Sequence, residues 1–220
     1  ARPDVIVALS PNTESSINSR MNRRSCALRA QSRATTQRDS SKDISTAELI
    51  RTIIGLNHDE KVDGILLQHP VPNQIDEISC FNAIDIKKDV DGVTTQGFGN
   101  MSMGLDAFGS CTPLGIMRIL DHYKINLEGM NALVIGRSQI LGKPMAAMLL
   151  NANATVTIAH SKTQNLMDKL KNYDLVVVAV GLPKFVSADD LKQGSILIDA
   201  GYHPTEKCGD VDMTNISNIV

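Results

Sequence analysis

Residues 131–160 read NALVIGRSQILGKPMAAMLLNANATVTIAH, and this stretch decides the fold class. It begins with a β-branched run that ends in Gly136 and closes with a second such run, TVTIAH. Between them, apolar residues recur at helical spacing after Pro144, a residue that suits a first helical turn. A strand, a helix and a strand in this order predict a βαβ unit with a parallel sheet.

The same alternation continues towards the carboxyl end of the chain. Further strand-like runs are DLVVVAVG at 174–181 and SILIDAG at 195–201, and helices are predicted over 164–172 and 188–193. The strands are apolar on both faces, which fits burial between two helical layers. Residues 122–220 are therefore predicted to form a Rossmann-like domain with a parallel sheet.

The first half alternates less cleanly and is predicted to form a separate α/β domain over 1–121. Strands are expected at 5–9 and 64–68. One helix is expected directly after the capping box Ser45-Thr-Ala-Glu48, a second at 76–84, and a third from Thr112-Pro113. The last of these helices lies near the domain boundary. The polar, arginine-rich stretch 10–42 is predicted to be a solvated helix plus loop, with an anion-attracting face as the alternative.

Composition excludes several classes of protein. Hydrophobic residues make up 42% of the 220 positions and charged residues 21%, as in a globular chain. A net charge of -2 and 3% aromatic residues argue against nucleic-acid or membrane-surface binding. Four scattered cysteines without a C-x-x-C pair indicate neither a metal site nor disulfides. We expect a cytoplasmic protein, with an organellar location after removal of a targeting segment as the alternative.

The turn from Gly136 to Gly142 is a candidate phosphate-binding site. Glycines at the end of a strand let backbone N–H groups approach a phosphate, and the N-terminus of the following helix favours negative charge. The spacing differs from G-x-G-x-x-G, so a glycine turn without a nucleotide remains the alternative.

The residues after the second strand favour NADP over NAD. An NAD-binding domain usually places an acidic residue there, whereas this chain has His160-Ser-Lys-Thr163. Arg137, in the first turn, has a guanidinium that can bind a 2′-phosphate bidentately. Spacing alone leaves open that Arg137 and Ser161 are ordinary exposed side chains.

Three patches in the first half lie at predicted strand ends or turns. Gln68 begins QHPVP after a buried strand and is expected at the carboxyl edge of the sheet. Asp91 belongs to KKDVDG, which on its own is typical of an Asp-Gly turn. Cys111 begins CTPLG, which is typical of a helix start.

Together these patches resemble the methylenetetrahydrofolate dehydrogenase/cyclohydrolase family. The motifs are GILLQHPVPNQID, KKDVDG, CTPLG, VIGRSQILGKP, AHSKTQNL, DLVVVAVGLPKF and ILIDAG followed by GDV, in the family's order and spacing. The resemblance implies a folate-binding domain, an NADP-binding Rossmann domain, a cleft between them and a homodimer formed through the Rossmann domains. It also implies NADP-dependent oxidation of 5,10-methylenetetrahydrofolate and hydrolysis of the methenyl product to 10-formyltetrahydrofolate, in one-carbon metabolism and purine biosynthesis.

The resemblance also assigns roles to single positions. Gln68 matches the glutamine beside the catalytic lysine, and Asp91 matches the aspartate that bonds the pterin ring. The remaining matches concern the cofactor. Gly136, Arg137 and Ser138 match the phosphate-binding turn, and Ser161 matches the serine at the 2′-phosphate. Tyr202 occupies the position whose backbone contacts the nicotinamide end.

The chain departs from the family at a Tyr-x-x-x-Lys pair on the helix after the first strand. Asn18 and Asn22 occupy these positions, and an amide has neither a titratable proton nor a π face. The family's first helix and its Pro-Gly-Gly-Val-Gly-Pro-Met-Thr segment are also expected to be absent. The alternatives are therefore a dehydrogenase that has lost the cyclohydrolase, or a non-catalytic folate- or nucleotide-binding module.

Overall fold

The chain divides into two compact units, residues 1–111 and 112–220. The computed structural model describes residues 5–11, 36–40 and 44–214. Each unit is an α/β fold built on a parallel sheet, so the predicted fold class is confirmed. The division falls ten residues before the predicted boundary at 121/122, at the start of the helix that the sequence analysis placed near that boundary.

The sheet of the first unit has the order β2-β1-β3. Its strands are β1 (Val5–Pro11), β2 (Thr36–Ser40) and β3 (Val62–Leu67), all parallel. The strands expected at 5–9 and 64–68 are confirmed, but the helix plus loop expected over 10–42 is wrong at 36–40. The strand was not predicted because the sequence of β2, TQRDS, has no apolar pattern. A strand at the edge of a sheet does not need one, since backbone hydrogen bonds alone can hold it.

Among the described residues of the first unit, three helices lie within it, and a fourth begins at its last residue. They are α1 (Thr46–His58), α2 (Glu77–Asn82), α3 (Thr95–Ser102) and α4 (Cys111–His122). The predicted capping box is present: the Ser45 hydroxyl accepts the Glu48 N–H, and the Glu48 carboxylate accepts the Ser45 N–H at 3.0 Å. Helix α3 was not predicted, since its sequence TQGFGNMS contains two glycines and few apolar residues.

The sheet of the second unit has the order β5-β4-β6-β7. The elements are β4 (Asn131–Ile135), α5 (Gly142–Asn151), β5 (Thr155–Ala159), α6 (Leu166–Lys169), β6 (Leu175–Val178) and β7 (Ile196–Asp199). All four strands are parallel, as the alternating pattern predicts.

Two helices of the second unit are shorter than predicted. The helix expected over 164–172 is divided into α6 and a 3-10 turn, Leu170–Asn172, and the helix expected over 188–193 is one 3-10 turn, Ala188–Asp190. In the first region only Leu170 is fully buried, so little packing favours a longer helix. In the second, Gly194 has a φ of 76° and turns the chain directly into β7.

Alternate side chains of the central strands enter two separate cores. Val134 and Val177 pack with residues of α4 and α5, whereas Leu133 and Val176 pack on the opposite face with Leu170 and others. All four residues are at most 1% exposed, which confirms the prediction of burial on both faces for β4 and β6. The prediction is wrong for β5, at an edge of the described sheet, where Thr155, Thr157 and Ile158 are exposed, and β7 is half-buried.

Both sheets place a topological switch point next to their first strand. From β4 the chain moves to β5 on one side and then returns to β6 on the other, and β1, β2 and β3 follow the same path. In open parallel sheets, ligands bind beyond the carboxyl ends of the strands at such a point. Among the described helices, none is both long and apolar enough to cross a membrane.

Candidate functional site

The turn after β4 depends on two glycines. Gly136 has a φ of 127°, and a Cβ there would run into the carbonyl oxygen of Ala179, just beyond β6. A Cβ on Gly142 would run into the backbone of Gly136. Because neither position tolerates a side chain, α5 begins directly against the turn and its N-terminus lies at the switch point.

Ser138 organises the same turn from within. Its hydroxyl oxygen accepts the N–H groups of Leu141 and Gly142, each at 3.2 Å, and its carbonyl oxygen accepts the Lys143 N–H at 3.0 Å. The two bonds to the hydroxyl use oxygen lone pairs and leave its proton to donate. Ser138 therefore shapes the start of α5 and can also bind a ligand.

Strand register brings Arg137 and Ser161 to one edge of the sheet. Ile135 pairs with Ala159, and each candidate residue follows its own strand by two positions. Both side chains are exposed. The turn after β5 is closed by the Thr163 hydroxyl, which accepts the His160 N–H at 2.9 Å, and it contains no acidic residue. This edge therefore suits an anionic group beside the phosphate-binding turn.

Tyr202 lies at the other side of the turn, after β7. Strands β6 and β7 are paired with Val178 opposite Asp199, and Tyr202 follows three residues later with 68% exposure. The dinucleotide candidates thus lie at the carboxyl ends of β4, β5 and β7. All belong to the second unit.

In the first unit, Gln68 follows β3 at the switch point of its own sheet. Leu9 pairs with Leu67, so Gln68 is adjacent to the end of β1. Its amide nitrogen donates to the His69 carbonyl at 2.9 Å, and the His69 ring nitrogen Nδ1 lies 2.6 Å from a Glu77 carboxylate oxygen. Sequence reasoning did not single out the His69–Glu77 pair, because the two residues are eight positions apart in an irregular stretch.

The turn that carries Asp91 lies beside β3. Ile65 bridges to Asp89 in parallel, and the charge of His69, the residue after Gln68, acts on the Asp91 carboxyl. The buried Asp89 carboxylate accepts the N–H groups of Val93 and Thr94 at 3.1 and 2.9 Å and fixes the turn. The structure therefore places Asp91 in a turn beside β3 and near His69, the residue that follows Gln68.

Gly92 holds this turn against the start of α4. Its φ is 63°, and a Cβ would collide with the backbone of Phe108 to Ser110. The Ser110 hydroxyl donates to the Gly92 carbonyl at 3.1 Å, and Asp91 accepts hydrogen bonds from Cys111. The predicted Asp-Gly turn and the predicted helix start are thus one structural unit.

Burial raises the pKa of the Asp91 carboxyl above its ordinary value. The hydrogen bond from Cys111 opposes this shift, the nearby Asp89 carboxylate adds to it, and the charge of His69 lowers the pKa again. Asp91 is therefore a desolvated acceptor for a ligand that brings N–H groups. Asn18 and Asn22 lie outside the described residues.

Two family models match the chain. The model described as "Tetrahydrofolate dehydrogenase/cyclohydrolase, catalytic domain" matches residues 5–91, and the "NAD(P)-binding domain" of the same family matches residues 110–220. The curated bifunctional protein FolD of Alcanivorax borkumensis is 59% identical over 173 residues, which are 79% of this chain and 61% of that relative. The chain thus spans about three fifths of the length of the curated relatives it matches.

Solved structures show the same similarity. The bifunctional FolD from Campylobacter jejuni has a TM-score of 0.87 at 36% identity, covering 98% of this chain and 77% of that one. The methylenetetrahydrofolate dehydrogenase-cyclohydrolase of Trypanosoma brucei, solved with NADP cofactor and inhibitor, has a TM-score of 0.81 at 26% identity, covering 96% and 75%.

The raised pKa of Asp91 predicts a pH-dependent effect of Asp91→Asn. Above that pKa the native protein carries a half-buried charge, so removing it should raise the free energy of unfolding at about pH 7. As the pH falls through the pKa, the wild-type carboxyl becomes protonated and the gain should disappear by about pH 4. Urea unfolding of both proteins at the two pH values measures the difference.

Asp76→Asn serves as the control. Hydrogen bonds from Ser79 lower the pKa of Asp76, so its charge is favoured in the folded protein and the substitution should bring no gain at neutral pH. A gain for Asp91→Asn that is equal at both pH values would contradict the assignment of burial as the cause.

Proposed function

The chain belongs to the tetrahydrofolate dehydrogenase/cyclohydrolase family, and from this we propose that it oxidises 5,10-methylenetetrahydrofolate with NADP and hydrolyses the 5,10-methenyltetrahydrofolate formed to 10-formyltetrahydrofolate. The observation that carries the proposal is the glycine-closed turn at the β4/β6 switch point, with Arg137 and Ser161 at one edge. A turn that excludes side chains at Gly136 and Gly142 is a cradle for phosphate.

The second unit would hold the cofactor. The backbone N–H groups of the turn, with Ser138, would bind the phosphates, and Arg137 and Ser161 would bind the 2′-phosphate. The backbone at Tyr202 would contact the nicotinamide end. When bound, the nicotinamide ring accepts a hydride from the one-carbon bridge of the folate; the protein's contribution is orientation and electrostatics.

The first unit would bind the tetrahydrofolate derivative. Asp91 is placed as an acceptor for the N–H groups of the pterin ring, and its partial burial strengthens such bonds. Gln68, which we propose for the same site, has an amide that can both donate and accept. Asp89 and Gly92 hold the turn and are positioning residues.

A second candidate function is dehydrogenase activity alone. It is favoured by Asn18 and Asn22, which stand where the family has its tyrosine and lysine. Hydrolysis needs a group that gives and takes a proton near neutral pH, and an asparagine amide does not titrate there. Hydride transfer depends more on orientation and would survive this loss.

The proposal extends to assembly and location. We propose a homodimer formed through the second unit, supported by the position of β5 at an edge of the described sheet, where Ile158 is 43% exposed. A cytoplasmic location and a role in one-carbon metabolism, including purine biosynthesis, complete the proposal.

Turnover tests the proposed function directly. We expect the purified protein to raise the absorbance of NADPH when it is given 5,10-methylenetetrahydrofolate and NADP+, and to hydrolyse 5,10-methenyltetrahydrofolate in a separate assay. Dehydrogenase activity without hydrolysis would select the second candidate function. Binding of either ligand without any turnover would instead identify a non-catalytic binding module.

Arg137→Ala should reduce the preference for NADP+ over NAD+. Losing a charge-assisted contact to the 2′-phosphate costs on the order of 1–3 kcal/mol, while NAD+ has no such group. Calorimetric titration with both dinucleotides gives the ratio of affinities. Arg118→Ala, which removes an exposed guanidinium on α4, is the matched control and should leave the ratio unchanged. An unchanged ratio in Arg137→Ala would refute the assignment.

Asn22→Lys should raise the rate of methenyltetrahydrofolate hydrolysis. A positioned acid/base group contributes roughly 10²–10⁴-fold, and Asn18→Tyr in the same chain should add the stacking surface. Asn22→Gln, which lengthens the side chain without a titratable group, is the control and should bring no increase. Full hydrolase activity in a wild-type protein shown by peptide mass to contain Asn22 would contradict the account.

A further inference from the structure

The carboxylate of Asp210 joins two loops of the second unit. Asp210 is 0% exposed. One of its oxygens accepts the N–H groups of Val180 and Gly181 at 2.6 and 2.9 Å, just beyond β6, and the other lies 2.8 Å from Nε2 of His203, beyond β7. A single buried side chain therefore ties together the segments that follow two neighbouring strands.

Asp199, at the end of β7, holds Asp210 in place. Its Oδ1 accepts the N–H groups of Gly201 and Asp210 at 2.9 and 3.0 Å, and its Oδ2 accepts the Val211 N–H at 3.1 Å. A Cβ on Gly201 would collide with the Asp210 carboxyl, and one on Gly209 with the Asp199 carboxyl. The arrangement thus requires glycine at both positions and has little freedom to rearrange.

This network lies beside the phosphate-binding turn, on the side away from β5. Ala179, the residue before Val180, has its carbonyl oxygen against Gly136. If the 2′-phosphate is bound at the ends of β4 and β5, the rest of the dinucleotide extends over the ends of β6 and β7. The loops held by Asp210 would therefore form a wall beside the nicotinamide half of a bound cofactor.

The two sides of the turn differ in what they offer a ligand. At the turn after β4 the glycines leave the backbone open to a phosphate. After β6 the Asp210 carboxylate already occupies the N–H groups of Val180 and Gly181, so this wall presents no such donor pair. The wall therefore suits an uncharged or cationic ring better than an anion, which is the character of a nicotinamide in its reduced and oxidised forms.

We propose that Asp210 is a positioning residue for the nicotinamide half of the cofactor, acting through the loops after β6 and β7, with His203 as its partner. This inference rests on the proposed function. The partners of the Asp210 carboxylate are Val180, Gly181 and His203, whereas Arg137 and Ser161 are the proposed anchors of the adenosine half, so its removal should affect only one end of the dinucleotide.

The test compares whole NADP+ with adenosine 2′,5′-bisphosphate, which contains only the adenosine half. Asp210→Ala should weaken NADP+ binding about tenfold in calorimetric titration, because three groups (the N–H groups of Val180 and Gly181, and the His203 ring) lose one shared partner. Binding of the bisphosphate should be unchanged. Asp210→Asn keeps the shape and an accepting oxygen, so it should recover part of the NADP+ affinity. Asp212→Ala is the matched control, since the carboxylate's partners within the described part of the chain are Thr214 and Lys184, and the substitution should change neither affinity.

Each outcome bears on the inference. An equal loss for both ligands, or no loss for either, would overturn it, because the effect would then be general or absent. If Asp210→Ala does not fold by circular dichroism, Asp210→Asn and His203→Ala carry the test, with a smaller loss expected for NADP+ alone. If the wild-type protein binds neither ligand, the proposed function itself fails. If the wild type binds both ligands and the variants bind them equally well, only the inference about Asp210 fails.

Discussion

The close approach of two backbones at the carboxyl ends of β4 and β6 is the constraint on which the second unit depends. Gly136 lies against the Ala179 carbonyl, and Gly142 lies against Gly136, so no side chain fits at either glycine. This contact sets where α5 begins and how close its N-terminus comes to the sheet edge. The candidate anchors for a dinucleotide all follow from that position, because strand register then fixes Arg137, Ser161 and Tyr202 around it.

Internal carboxylates have a similar task in both units. Asp89 in the first unit and Asp210 in the second are each at most 1% exposed, and each accepts two backbone N–H groups of a loop: Val93 and Thr94 before α3, and Val180 and Gly181 after β6. A buried carboxylate is costly unless its oxygens are satisfied, so such a loop is held in one arrangement. In both cases the carboxylate that shapes the site is distinct from the residues that would face a ligand.

The sequence predicted most of the fold and part of the site, for reasons that differ by element. Buried strands such as β4 and β6 carry an unambiguous apolar signal, whereas β2 is polar and was found only through its backbone pairing. The glycine turn, Gln68 and Asp91 could be found because they stand at strand ends or in turns. The roles of Asp89, His69 and Asp210 could not, since they depend on partners distant in the chain or on burial that no local pattern reveals.

The central sheet of the second unit separates two hydrophobic cores, so a substitution in one core need not affect the other. Neighbours in sequence on β4, such as Leu133 and Val134, belong to different cores, while Val134 and Val177, far apart in sequence, share one. A change of volume at Val134 can therefore be compensated only from the side of α4 and α5, and the opposite layer need not respond. In related chains, the two cores can therefore accept substitutions independently, whereas the glycine positions at the strand ends, where no side chain fits, cannot change.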